Sequence, residues 1–217
     1  DVERSRGLGD VYKRQDYQAC GLADLGKPDG YVARQIKGWS ERYDNARTPD
    51  APGWQEVRTW LEEKMPADHP RPAIVHNDYR FDNVILDAND PLRIIGVLDW
   101  ELTTLGDPLM DLGNTLAYWI EADDPAPVQL MRRQPSNAPG MLTRQAFVDY
   151  YAERAGIEIK CFDFYYIYGL FRLAGIVQQI YYRYYHGQTA DKRFASFVQM
   201  NALLEKMALG VVARSSL

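Results

Sequence analysis

Three residues with ligand-grade side chains stand at informative intervals in the middle of the chain. Residues 76–83 read HNDYRFDN, and GVLDWE follows at 96–101. Asp78 lies two residues after His76, Asn83 five after Asp78, and Asp99 sixteen after Asn83. One carboxylate can orient a hydroxyl and take its proton. A second carboxylate with an amide oxygen can hold Mg²⁺, which favours one or two carboxylates plus phosphate and water over an all-protein cage. Those are the parts that phosphoryl transfer requires, because it depends on positioning and charge neutralisation more than on covalent chemistry by the protein.

Such a set works only if the chain brings its members together. Two apolar runs, VIL at 84–86 and RIIGVL at 93–98, flank the turn-rich DANDP at 87–91. That pattern predicts a β-hairpin, which would place Asn83 and Asp99 at the same end. The rest reads as helix: 30–47, stopped before Thr48 and Pro49, then 54–65, with Trp54, Val57, Trp60, Leu61 and Met65 at helical spacing. Further helices are expected at 107–119, 143–155, 162–186 and 190–212. Residues 123–142 hold four prolines and predict a loop. The expected fold class is therefore α+β, mostly helical.

The motif resembles the protein-kinase signature H-R-D-x-x-x-x-N followed by D-F-G. More closely, VLDWE and the following LTTLGDPLMDLG (102–113) resemble the aminoglycoside phosphotransferase family, a branch of the kinase-like fold. GKPDGYVARQIKGWSERY (26–43), VLDWELTTLGDPLMDLG (97–113) and LFRLAGIVQQIYYR (170–183) resemble the phosphotransferase domains related to those fused to certain acyl-CoA dehydrogenases. The likeness runs from about residue 21 to residue 209. It implies Asp78 as base, Asn83 and Asp99 as ligands for Mg²⁺ and its ATP, and Arg80 near the γ-phosphate. A surface salt bridge is the other reading of Arg80. His76 is expected to brace the loop, and Asp111 to accept hydrogen bonds from the loop's backbone. Asp107, before Pro108, reads as a helix N-cap. Glu101 would reach metal or substrate, or be structural. Asn77 departs from the glycine common at its position.

The resemblance also sets an expectation about what is missing. No Gly-rich phosphate cover and no Lys-bearing strand precede the motif, so the chain reads as the C-terminal, large lobe of the kinase-like fold, with the N-terminal lobe absent. Residues 1–15 have no apolar periodicity that joins the downstream pattern, and RGLGDVYKRQ resembles translated sequencing-adapter sequence. That segment is expected to be non-native or a disordered tail, and 16–217 to be the lobe.

Net charge is −5, which gives no sign of a nucleic-acid surface. Cys20 and Cys161 form no metal or disulfide pattern and fit a reducing, cytoplasmic setting. The most apolar helix candidate, 162–185, is interrupted by Arg172, Gln178, Gln179 and Arg183, against a membrane span. Arg172 and Arg183 are eleven residues apart and share a helix face. They either line an acceptor site for a carboxylate or CoA phosphate or are two solvent-exposed cations.

The function expected is an ATP-dependent phosphotransferase acting on a small-molecule hydroxyl, inactive as this piece alone. The acyl-CoA-dehydrogenase likeness implies a hydroxy acid or hydroxyacyl-CoA as acceptor and fusion or association with such a dehydrogenase. An aminoglycoside-type antibiotic kinase is an alternative that would suit a more acidic surface. A non-catalytic binding module is another, although a binder has no use for the Asp78, Asn83 and Asp99 set. Metal-dependent phosphoester hydrolysis would want more ligands than His69, His76 and His186 provide at their spacing.

Overall fold

The structure is a computed structural model describing residues 16–217; the expectation for residues 1–15 lies outside them. Helix α1 (Tyr31–Asn45) buries Tyr31, Val32, Ile36, Ser40 and Tyr43 along one stripe. Helix α2 (Gln55–Glu63) buries Val57 and Leu61. Trp54, expected inside this helix, instead precedes it in the left-handed region, with φ 56°. Its backbone N–H donates to Glu205 Oε1 at 2.5 Å.

Four short strands follow. β1 (Ala73–Val75) pairs antiparallel with β4 (Thr104–Gly106), a pairing the sequence reading did not foresee. β2 (Val84–Leu86) and β3 (Ile94–Val97) form the expected hairpin, with Val84 opposite Val97 and an irregularity between Ile85 and Leu86. The hairpin lies on the surface: Ile85, Leu86, Ile95 and Leu98 are all 43–50% exposed.

Helix α3 (Pro108–Ala117) is buried at every residue. Asp107 caps it, accepting from Leu109 N at 2.8 Å, and Pro108 takes the first helical position. A short helix, α4 (Ala126–Gln129), interrupts the segment expected to be loop. Helix α5 (Arg144–Ala155) is capped by Thr143 and ended by Gly156 at φ 61°, as its sequence predicts. Helix α6 (Asp163–Tyr185) is the central beam, with fourteen buried residues spread along its length. The last expected helix divides into a tight turn at Lys192–Ser196 and α7 (Phe197–Val212), because Asp191 caps the turn and starts the chain afresh.

The core lies where α1, α2, α3 and α7 meet α6. The α3–α6 crossing needs glycine on both sides. A Cβ at Gly113 would overlap the Tyr165 carbonyl oxygen, and one at Gly169 would overlap that of Gly113. This backbone-to-backbone approach fixes α3, and α3 in turn carries the polar groups that hold the 76–83 loop. The fold is α+β with small sheets and a helical majority, as expected.

Candidate active site

The 76–83 loop leaves β1 and is tied down by the polar side chains of α3. Asp111 Oδ2 accepts from His76 N at 3.0 Å, and Asp111 Oδ1 from Asn77 N at 2.8 Å. Thr115 Oγ1 donates to Tyr79 O at 3.0 Å, and Asn114 Nδ2 to Asn77 Oδ1 at 3.3 Å. Residues 111, 114 and 115 share one face of α3, so a helix buried all round satisfies its polar stripe against the loop.

His76 is fully buried. Its Nε2 lies 2.7 Å from Leu98 O, and its Nδ1 accepts from Asp78 N at 3.2 Å. The pair of contacts defines the neutral imidazole with its proton on Nε2. The ring lies tilted against Trp100, with centroids 4.9 Å apart. It faces away from any exposed site and braces two loops.

Asp78 is half-buried. Its Oδ2 accepts from Asn83 Nδ2 at 3.0 Å and from Arg80 Nη2 at 3.2 Å. Arg80 Nε lies 3.0 Å from Oδ1, close enough for an ion pair but too poorly aligned for a hydrogen bond. Arg80 also approaches Asp82 at 3.6 Å and lies 4.8 Å above the Tyr118 ring. It thus makes an ion pair, and that pair is with the candidate base itself. Burial raises the Tyr118 hydroxyl pKa, so the ring stays neutral beneath the guanidinium.

Asn83 is buried and its Nδ2 is committed twice, to Asp78 Oδ2 and to Asp78 O at 2.7 Å. Its Oδ1 is left for another partner. The hairpin extends one bond further, Leu98 N donating to Asn83 O at 2.8 Å, so Asn83 and Asp99 stand at one end. Asp99 follows β3 in the left-handed region, with φ 64° and ψ 54°. The apolar run that Asp99 ends does not bury it. Asp99 is exposed, because the hairpin lies on the surface, and it makes no bond or ion pair to any described residue. Glu101 is likewise exposed, on the tight turn Trp100–Leu102. One free carboxylate and one free amide oxygen fit Mg²⁺, a hard cation that takes oxygen ligands and keeps phosphate and water.

A family model for phosphotransferase enzymes matches residues 8–147, which span this whole set. The chain belongs to the phosphotransferase enzyme family. It is 34% identical over 195 residues to acyl-CoA dehydrogenase family member 10 of Mus musculus, covering 89% of the chain and 18% of that protein. It is 30% identical over 207 residues to acyl-CoA dehydrogenase family member 11 of Gallus gallus, covering 93% and 26%. The chain thus spans about a quarter or less of these relatives' length. A solved structure from Ralstonia eutropha, assigned as an aminoglycoside phosphotransferase, superposes with a TM-score of 0.82. It is 28% identical, and the match covers all of this chain and 65% of that one.

Beside Arg80 and Asp82 opens a cavity of about 450 Å³, within the roughly 300–1,000 Å³ typical of small-molecule sites. Its walls are mostly apolar, from α6 and α7, and include Leu173, Ile176 and Phe197. Arg133 and Arg193 join Arg80 in its lining. Arg193 is paired with Asp191 at 2.6 Å, whereas exposed Arg133 has no ion-pair partner among the described residues.

The two arginines expected to share an acceptor face do not line this cavity. Arg172 is buried on the α1 side, its guanidinium 5.2 Å from the Trp39 ring centroid, and Arg183 is exposed near the end of α6. Their common stripe is real, but α1 covers one end of it and solvent the other. The supporting residues Asn114, Thr115 and Tyr31 escaped the sequence reading. The polar 111, 114 and 115 pattern within PLMDLGNTLA was the signal for the first two.

Proposed function

We propose that the chain is the large lobe of an ATP-dependent kinase that phosphorylates a small-molecule hydroxyl. One observation carries this reading: the fold gathers Asp78, Asn83 and Asp99 at one hairpin end, with every Asn83 donor committed and the oxygens of Asn83 and Asp99 left open. Asp78 orients the acceptor hydroxyl and takes its proton. Asn83 Oδ1 and the Asp99 carboxylate would hold Mg²⁺, which would neutralise charge on the phosphates of ATP, the phosphoryl donor. Arg80, in contact with Asp78, supplies further positive charge where the phosphoryl group must pass.

The lobe assignment is supported by the exposed apolar side chains of the hairpin, Ile85, Leu86, Ile95 and Leu98. A nucleotide-covering lobe would bury them. The cavity supports the acceptor class. Apolar walls with an unpaired Arg133 favour an acceptor with an apolar body and an acid group, such as a hydroxy acid or hydroxyacyl-CoA. They disfavour a polycation, because Arg80 and Arg193 are already ion-paired and the charge left over is that of Arg133. The named relatives support linkage to an acyl-CoA dehydrogenase, and the cytoplasm suits the two free cysteines. Among the described residues no helix is long and apolar enough to cross a membrane.

The test is transfer of ³²P from ATP in the complete protein, with medium-chain hydroxy acids and an aminoglycoside as competing acceptors. Mg²⁺-dependent labelling of the hydroxy acids is expected. Labelling of the aminoglycoside alone would overturn the acceptor class, and no labelling under any condition would overturn the kinase reading.

A further inference from the structure

The strand before Asp99 ends two residues early, at Val97, and the Asp99 side chain has no bond to any described residue. What fixes this segment comes from the 76–83 loop and from β1, where Val75 O accepts from Thr103 Oγ1 at 2.7 Å. His76 reaches Leu98 O, one residue before Asp99, at 2.7 Å. Asn77 Nδ2 donates to Leu102 O, three residues after it, at 3.0 Å. Two neighbouring side chains of one loop therefore bracket the carboxylate of the other.

Asn77 is held in its turn from three sides. Its N–H donates to Asp111, and its Oδ1 accepts from Tyr31 Oη at 3.2 Å and Asn114 Nδ2 at 3.3 Å. Burial raises the Tyr31 pKa far above the ordinary phenol value, so that hydroxyl keeps its donor proton. Asn77 lies in the left-handed region at φ 65°, where glycine sits at no steric penalty and Asn is the side chain that tolerates it best. A backbone that favours glycine carries instead a side chain with all of its bonds directed at α1, α3 and the Asp99 segment.

We propose that Asn77 is a positioning residue that sets the offset between Asp78 and Asp99, tying the turn after Asp99 to the loop that bears Asp78. The inference rests on the reading of Asp78 and Asp99 as base and metal ligand. Asn77→Gly tests it, because glycine accepts the backbone and deletes only the three side-chain bonds. Tyr31→Phe removes one acceptor-side bond and leaves the link to Leu102. In the 217-residue chain, Asn77→Gly should make the Thr103 amide, which donates to Trp100 O at 3.0 Å, exchange hydrogen about tenfold faster, the effect of losing one or two such bonds. Amides of the hairpin and of α6 should keep wild-type rates, and Tyr31→Phe should leave Thr103 slow. In the complete protein, Asn77→Gly should raise the Mg²⁺ concentration for half-maximal turnover about tenfold, with acceptor KM within about twofold. Unchanged exchange at Thr103 would overturn the proposal, as would faster exchange spread equally over α6. A wild-type protein without turnover would sink the kinase reading alone, since the exchange rates judge the positioning by themselves.

Discussion

The helical bundle and the loop-and-hairpin layer use polar groups in opposite ways. In the bundle, Asn201 is fully buried and fully used. It accepts from Trp54 Nε1 at 2.8 Å and donates to Tyr43 Oη at 3.1 Å and to Gln178 Oε1 at 2.8 Å. Gln178 passes the network on to Ala46 O and Thr48 Oγ1. In the layer, hydrogen bonds stop short at two side chains: Asp99 is open, and Asn83 keeps its side-chain oxygen unspent. A saturated network rigidifies and a truncated one leaves valence for a ligand. The molecule separates the two jobs between two regions that meet at α3.

If that separation is real, variants in the two regions should fail in different assays. The largest effect is expected from Asp78→Asn, which should lower turnover in the complete protein by roughly 10²–10⁴, the span of general-base catalysis. Its unfolding midpoint in urea should match wild type. Asn201→Ala should do the reverse, losing about 3 kcal/mol or more because several buried partners lose their bond at about 1–3 kcal/mol each. Equilibrium urea unfolding reads that loss, and turnover per folded molecule should hold. A variant that moves both quantities together would erase the distinction.

Arg133→Glu sharpens the comparison in the cavity where the bundle meets Arg80 and Asp82. It should raise KM for a hydroxy acid about tenfold while leaving a matched neutral amide unaffected, the size of one lost charged contact. Equal changes for both acceptors would remove Arg133 from recognition. The smallest effect concerns Asp107 at the α3 N-terminus. Burial raises its pKa, and its Oδ2 is buried without a partner. Its native pKa thus exceeds the ordinary unfolded value of about 3.9, and its contribution to stability is lost as pH rises through the raised value. Asp107→Asn keeps a capping oxygen and removes the charge. The melting temperature of the variant relative to wild type should therefore be more favourable at pH 7 than at pH 4; an identical difference at both would refute the assignment.

What the sequence disclosed follows the range over which each signal acts. That Asp78, Asn83 and Asp99 stand together was legible because a short loop and one hairpin separate them. The β2–β3 hairpin was legible because Asp and Pro mark its turn. β1 and β4 were not, since three-residue strands with partners about thirty positions away leave no periodicity to read. Spacing correctly placed Arg172 and Arg183 on one stripe but could not reveal that Trp39 covers the first. Asp99 likewise looked buried from its apolar neighbours, because an exposed apolar hairpin reads in sequence like a covered one.

The glycine pair at the α3–α6 crossing has a mechanical corollary. Two backbones in direct contact leave no soft side chains between them to compress or slide, so this joint behaves as an anvil. The loop that bears Asp78 is bonded directly to one half of that joint, through Asp111 and Thr115.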